Sequence, residues 1–292
     1  MSKGFEHNPL VDIERIRQDL KGRYRDDGGF VILKELIQNA EDAGARQLAF
    51  GWTPGLPNAR HPLLRGPAIV AANDGPFKDS DQRAIRRFGL SDKLSERGSI
   101  GKFGLGLKSV FHWCEAFCYL FRDAETSAGS SVRGDILNPW SGPEDSYHPE
   151  WDTFEDLELR AMRAALDGMV GSDLLERPSW FCLWIPLRRK DVCHGLPCAK
   201  ILPLRPDVYP GDCGAPGRPQ PPAFLCDAGL PDRLAETLPL LVSLTKLRVR
   251  LPDGRGWSER TLTAAPRALR QYRRGATKQQ FDREPAVRGG HV

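Results

Sequence analysis

The sequence predicts an α/β fold, and three observations carry that expectation. Apolar residues recur at helical spacing over residues 11–22 and 30–43, unbroken apolar runs of strand length follow them, and a glycine-rich turn, GSIGKFGLGLKS (Gly98–Ser109), opens straight into an apolar segment. Taken in order, Val11, Ile13, Ile16 and Leu20 mark an amphipathic helix over 11–22. DDGG (Asp26–Gly29) breaks the chain, and a second helix runs from Phe30 to Ala43, where Gly44 ends it. RQLAFGW and PAIVAAN read as strands joined by a proline- and glycine-rich connection. A short helix is expected at Asp79–Phe88 and a polar loop at Gly89–Gly101. The next helix starts inside the glycine cluster and runs to about Glu115, and FCYLFRD (Phe117–Asp123) returns to strand.

Residues 124–179 form an acidic insertion with one helix, Thr153–Gly168, where Thr153 caps and Asp156 sits near the N-terminus. WFCLWIPLR is a strand. A proline-rich loop fills 197–222, with seven prolines between 203 and 222. A helix over Pro231–Leu244 and the strand KLRVRL follow, and the arginine-rich stretch from Pro266 contains few apolar residues. This order predicts one domain over residues 1–252 and a basic, mobile tail over 253–292. No internal repeats are present.

Composition narrows the classes. An apolar share of 40% and a charged share of 27% fit a globular domain, and no apolar run approaches the ~20 residues of a membrane span. MSKGFEHNPL has no apolar signal core, and seven scattered cysteines fit reduced thiols, so a cytoplasmic location is expected. Cys193, His194, Cys198, Cys213 and Cys226 match no usual zinc-ligand spacing. A net charge of +4 is too small to argue for a polyanionic partner.

The chemistry lies in three stretches. The glycine turn is not a P-loop, because Leu107 stands before Lys108 and Ser109 where that motif needs glycine. It is also a poor dinucleotide fingerprint, since Ser109 follows Gly104 and Gly106 in place of a third glycine. Upstream, in ILKELIQNAEDAGA, Glu35, Asn39 and Asp42 lie at i, i+4 and i+7, on one face of a helix whose other side is apolar. An asparagine at mid-helix is unfavourable by propensity, and an ion or a buried hydrogen bond would account for it. Between the two, IVAANDGPF is a strand ending in Asn73, Asp74 and Gly75, where glycine lets the backbone pass close to a flat ligand.

These motifs, in this order, resemble the GHKL superfamily, which groups heat-shock-protein-90 chaperones, type II topoisomerases, mismatch-repair MutL proteins and histidine kinases. Within it the likeness is to the sacsin branch. DGGFVILKELIQNAEDAGA, ANDGPF, GSIGKFGLGLKSVFHW and IPLR all look like that branch's motifs, over roughly residues 11–252. The resemblance implies a two-layer α/β sandwich of the Bergerat type, a mixed sheet covered by helices on one face. It implies ATP and Mg²⁺ as cofactors. By the resemblance Glu35 orients and deprotonates the attacking water, Asn39 gives an oxygen to Mg²⁺, and Asp42 and Ala43 lie beside the nucleotide. Asn73, Asp74 and Gly75 meet the base. The backbone of Gly104, Leu105, Gly106 and Leu107 cradles the phosphates, Gly101 ends the segment that closes over them, and Lys102 and Phe103 belong to the same nucleotide-binding stretch. Lys102 and Lys108 are candidates for direct charge contacts, Lys108 being equally readable as a solvated lysine. Ser91 and Lys93 fall in the lid expected over the triphosphate.

The sequence departs from the family at three points. Asn73 stands where many members have aspartate, Phe77 where several keep glycine, and the late Gly-Thr pair is absent, with Ser179 a weak substitute. The resemblance implies a slow Mg²⁺-dependent ATPase whose lid state switches a client protein or partner subunit, in the chaperone manner, with a nucleotide-dependent dimer as one form. The alternative is a nucleotide-binding interaction module of little turnover in a defence or DNA-associated, MORC-like assembly, to which the basic tail (Arg267, Arg270, Arg273, Arg274, Lys278, Arg283, Arg288) would contribute weak phosphate contacts. Neither reading involves a membrane.

Overall fold

The computed structural model describes residues 29–78, 81, 82, 85, 105–123, 132–138, 154–190, 209–215, 217–252, 257–264 and 287–291. The expected helix over 11–22, the lid region 89–101, Thr153 and residues 265–286 lie outside them.

The helix α1, Phe30–Asp42, forms as its periodicity predicts, with Phe30, Ile32, Leu33, Leu36, Ile37 and Ala40 buried. At its C-terminus Gly44 takes φ +71°, a conformation costly for other residues. There the Ala45 N–H donates to the Ala40 carbonyl (3.0 Å) and the Gly44 N–H to the Glu41 carbonyl (2.8 Å), the paired closure that satisfies a helix end. The chain then enters β1 (Gln47–Thr53) and β2 (Ala68–Asn73). A single α-helical turn, α2 (Leu105–Lys108), tightens to a 3₁₀ turn at Ser109–His112, so the helix expected to reach Glu115 is shorter. The Trp113 N–H donating to the Val110 carbonyl turns the chain towards β3 (Phe117–Arg122).

Within the insertion, β4 (Arg133–Leu137) pairs antiparallel with β3, and α3 (Asp156–Val170) follows. Its N-cap is Glu155, two residues after the expected Thr153, in a reciprocal capping box with Glu158. A short helix α4 (Ser172–Leu175) leads into β5 (Trp180–Pro186). The proline-rich region carries a two-residue hairpin, β6 (Gly214–Ala215) with β7 (Arg218–Pro219), and a helical turn α5 (Ala223–Cys226). The helix α6 covers only Leu230–Ala235, and Leu238–Leu240 is 3₁₀, because Pro239 has no N–H to continue an α-helix. Last come β8 (Lys246–Pro252), β9 (Trp257–Ala264) and β10 (Val287–His291).

Eight of these strands form one mixed sheet in the order β10-β9-β8-β1-β2-β5-β3-β4, with β1 parallel to β8 and the other neighbours antiparallel. The α/β class and the mixed sheet are therefore as the sequence predicts. The sheet does not stop at residue 252, since β9 and β10 extend it into the stretch expected to be a separate tail.

The helical cover also goes further than one face. Leu48 and Asn73 look towards α1, whereas a Cβ on Gly51, of opposite parity in β1, would lie 2.4 Å from the Met169 carbonyl oxygen of α3. The insertion thus lays α3 on the second face, a cover additional to the α1 side. This explains why β1, β2 and β5 are buried at every position and read as continuous apolar runs. On that second face Arg248 of β8, only 3% exposed, binds Asp173 Oδ1 (2.7 Å) and Gln47 Oε1 (3.3 Å). Burial pushes the Asp173 carboxyl up, but the hydrogen bond and charge of Arg248, helped by Lys246, outweigh it and hold the carboxyl below its ordinary value.

Candidate functional site

The candidate site is a small pocket between α1 and the sheet. Leu36, Asn39 and Ala43 descend from α1 at i, i+3 and i+7, one helical face. The floor is Leu48 of β1, Ala71 and Asn73 of β2, and Phe181 and Leu183 of β5, which the register puts on the same side of the sheet. Phe77 stacks on Phe181 at 4.4 Å and 23°, and Leu107 of α2 closes the wall.

Two amides supply the polar lining. Asn39 Nδ2 is buried and has no hydrogen-bond partner among the described residues, a state that costs free energy unless a ligand acceptor meets it. The Asn73 side chain folds back on its own turn, its Oδ1 accepting from the Gly75 N–H at 2.9 Å. Gly75 must be glycine for a spatial reason. A Cβ there would stand 2.9 Å from Asn73 Oδ1 and 3.0 Å from the Ala43 Cβ, so the NDG turn and the end of α1 are in direct contact.

The structure thus brings Asn39, Ala43, Asn73 and Leu107 together around one pocket, with Gly75 packed behind them. Other sequence candidates have other places. Glu35 is half-buried on α1 one turn before Asn39 and outside the wall. Asp42 is also outside it, and its Oδ1 accepts from Gln38 Nε2 at 2.9 Å. Asp74 braces the sheet instead of meeting a ligand in the wall: its Oδ1 accepts from the backbone N–H groups of Arg46 (2.8 Å) and Gln47 (3.0 Å). Lys108 is only 4% exposed, which removes the solvated-lysine reading. Leu105 and Gly106 belong to α2, while Ser91, Lys93, Gly101, Lys102, Phe103 and Gly104 lie outside the described residues. So do Cys193, His194 and Cys198, and among the described residues no cluster of three or more His, Cys, Asp or Glu is placed to hold a metal.

Sequence reasoning missed Glu41. Its two carboxylate oxygens accept from three consecutive backbone N–H groups, Val242 (2.8 Å), Ser243 (2.9 and 3.0 Å) and Leu244 (2.8 Å). This clasp ties the C-terminal turn of α1 to the segment feeding β8, and so fixes the angle at which Asn39 and Ala43 face the sheet. IPLR has a comparable structural job. The Arg188 N–H donates to the Trp113 carbonyl at 2.6 Å, and its buried guanidinium pairs with Glu115 at 2.5 Å, which anchors the segment after α2 to the end of β5.

A helix carrying an inward amide packs over a mixed sheet whose second strand ends in Asn-Asp-Gly, an α/β arrangement. Residues 11–124 match the Sacsin domain family. Sacsin of Homo sapiens is 36% identical over 176 residues, which cover 56% of this chain and 4% of that protein. The chain thus spans a small fraction of the length of this relative. Among the described residues, no helix is long and apolar enough to cross a membrane.

Proposed function

We propose that the pocket between α1 and the sheet binds a purine nucleotide with Mg²⁺, and that the domain hydrolyses it slowly to switch an attached module. One observation carries this reading: an apolar pocket, lined by Ala71, Leu183 and Phe77, whose buried Asn39 amide donor has no partner among the described residues. An apolar wall suits an aromatic base, and the Asn73 amide suits its polar edge. The likeness to the Sacsin domain over residues 11–124 and the ordered motifs support the same reading.

The residues fit Mg²⁺ as the family uses it. Asn39 would offer its amide oxygen to a cation that keeps waters and phosphate oxygens as its other ligands. When bound, Mg²⁺ would neutralise charge on the phosphates. Glu35, one turn away on the same helix, would orient and deprotonate the attacking water. The glycine-rich residues before α2, with Lys102 and Lys108, would hold the phosphates, and Ser91 and Lys93 would belong to the lid. A client protein or partner subunit would read the lid state.

The test is Glu35→Gln. It keeps the size and removes the base, so nucleotide-induced stabilisation should persist while phosphate release in single-turnover assays falls by 100-fold or more, roughly the contribution of a general base. Unchanged phosphate release in Glu35→Gln would refute the assignment of that residue.

A further inference from the structure

A second cleft lies on the α1 side of the sheet, beyond β1 and away from the Asn39 pocket. The β1–β8 register pairs Leu48 with Leu247, so Val249 and Leu251, of the same parity in β8, also face that side. The β8–β9 register sets Arg260 opposite Val249 and Ser258 opposite Leu251, which puts these two polar side chains there as well. The turns α5 and α6 lie over this patch, and the space between them and the strands is about 270 Å³.

Floor and mouth differ in chemistry. The floor is aliphatic, with Leu225, Leu230 and Leu234 from the helical turns and Val249 and Leu262 from the strands, none more than 6% exposed. The mouth is polar, with Cys226, Ser258 and Arg260 all exposed. Among the described residues no acidic side chain lines the cleft, and Arg260 has no carboxylate partner. The adjacent Glu259 serves the opposite face of the sheet, where it pairs with Arg250 at 3.1 Å. Burial pushes the Cys226 thiol above its ordinary value and the Arg260 charge opposes that, so thiol and guanidinium share the mouth. A neutral apolar ligand would leave this cation unused, and a cationic one would be repelled by it. An anion carried on an aliphatic chain suits both ends.

We propose that this cleft binds a medium-chain aliphatic carboxylate, its chain among Leu225, Leu234 and Leu262 and its carboxylate at the mouth, beside Arg260 and Ser258. The size agrees. An apolar cavity of about 150 Å³ holds benzene, so one of about 270 Å³ takes a chain of roughly eight carbons. The site is separate from the Asn39 pocket and does not depend on nucleotide binding there.

The experiment is calorimetric titration of the whole chain, without nucleotide, with sodium octanoate, sodium butanoate, 1-octanol and octylammonium chloride. Octanoate should saturate one site with a dissociation constant below about 1 mM. Each buried methylene is worth about a fourfold change, so butanoate should bind at least about tenfold more weakly. Octanol should bind about fivefold more weakly than octanoate, the worth of one exposed charge contact, and octylammonium more weakly still. Arg260→Gln should bind octanoate and octanol alike, and Leu251→Trp, which fills the cleft, should bind neither. Melting of both variants without ligand checks that they fold, and the wild-type ranking needs no variant. No saturable octanoate binding by wild-type protein at about 10 mM, or octanol or octylammonium binding as tightly as octanoate, overturns the proposal. So does a carboxylate preference that survives Arg260→Gln, or unchanged binding by folded Leu251→Trp.

Discussion

Replacing Glu41 with alanine removes the clasp that holds α1 against the segment before β8. The carboxylate accepts from three N–H groups at 2.8–3.0 Å. The Val242 contact is exposed, so water can replace the lost acceptor there. Those of Ser243 and Leu244 are partly buried, and each loses a charge-assisted bond worth about 1.5 kcal/mol. The expected loss is about 3 kcal/mol, or a fall in Tm of about 6–10 °C for a domain of this size. Glu41→Gln retains one acceptor oxygen and turns an N–H₂ towards the other donors, so it should lie near the midpoint. Thermal and urea unfolding followed by circular dichroism read both variants. If Glu41→Ala unfolds within about 0.5 kcal/mol of wild type, the size of an ordinary surface substitution, the clasp is not what orients α1.

Three further outcomes follow from the same geometry. Asp173 contributes stability fully above the ordinary carboxylate range and loses it as pH falls through its lowered folded value. The gap in urea midpoint between wild type and Asp173→Asn should therefore be constant from pH 5 to 8 and shrink below about pH 4, the unfolded value. Gly75→Ala forces a Cβ between Asn73 Oδ1 and Ala43, and should cost about 1–3 kcal/mol in unfolding free energy and weaken nucleotide binding with it. Glu35→Gln should separate binding from turnover, with stabilisation by nucleotide retained and phosphate release lost.

Local patterns were the legible part of this chain. The helical repeat of Ile32, Leu33, Leu36, Ile37 and Ala40, stopped by Gly44, specifies α1 to within a residue, and the runs AIVAAN and WFCLWIP mark β2 and β5. Asn39 and Asn73 stood out because an amide at mid-helix and a polar end to an apolar strand both ask for a partner. What the sequence hid depends on distant contacts. The partners of Glu41 lie about two hundred residues away, so nothing local distinguishes it from a solvated glutamate. The pocket floor was hidden because β1 and β5 are apolar on both faces, and composition cannot say which side of Phe181 or Leu183 meets a ligand. The strand β9 was missed because its middle, 258–263, is polar apart from Leu262, the one residue of that stretch that is buried, so it reads as tail. The orientation of the Asn73 amide is set by a single N–H two residues on, which no spacing encodes.

The claim that α1 and the sheet enclose a purine-nucleotide site is met most directly by thermal unfolding of the whole chain with and without Mg²⁺ and purine nucleoside triphosphate. Ligand at 100 times its dissociation constant stabilises a native state by about 2.7 kcal/mol, so the account predicts a rise in Tm of about 5–8 °C. The rise should saturate with concentration. An unchanged Tm at millimolar inosine, guanosine and adenosine triphosphates alike would contradict it.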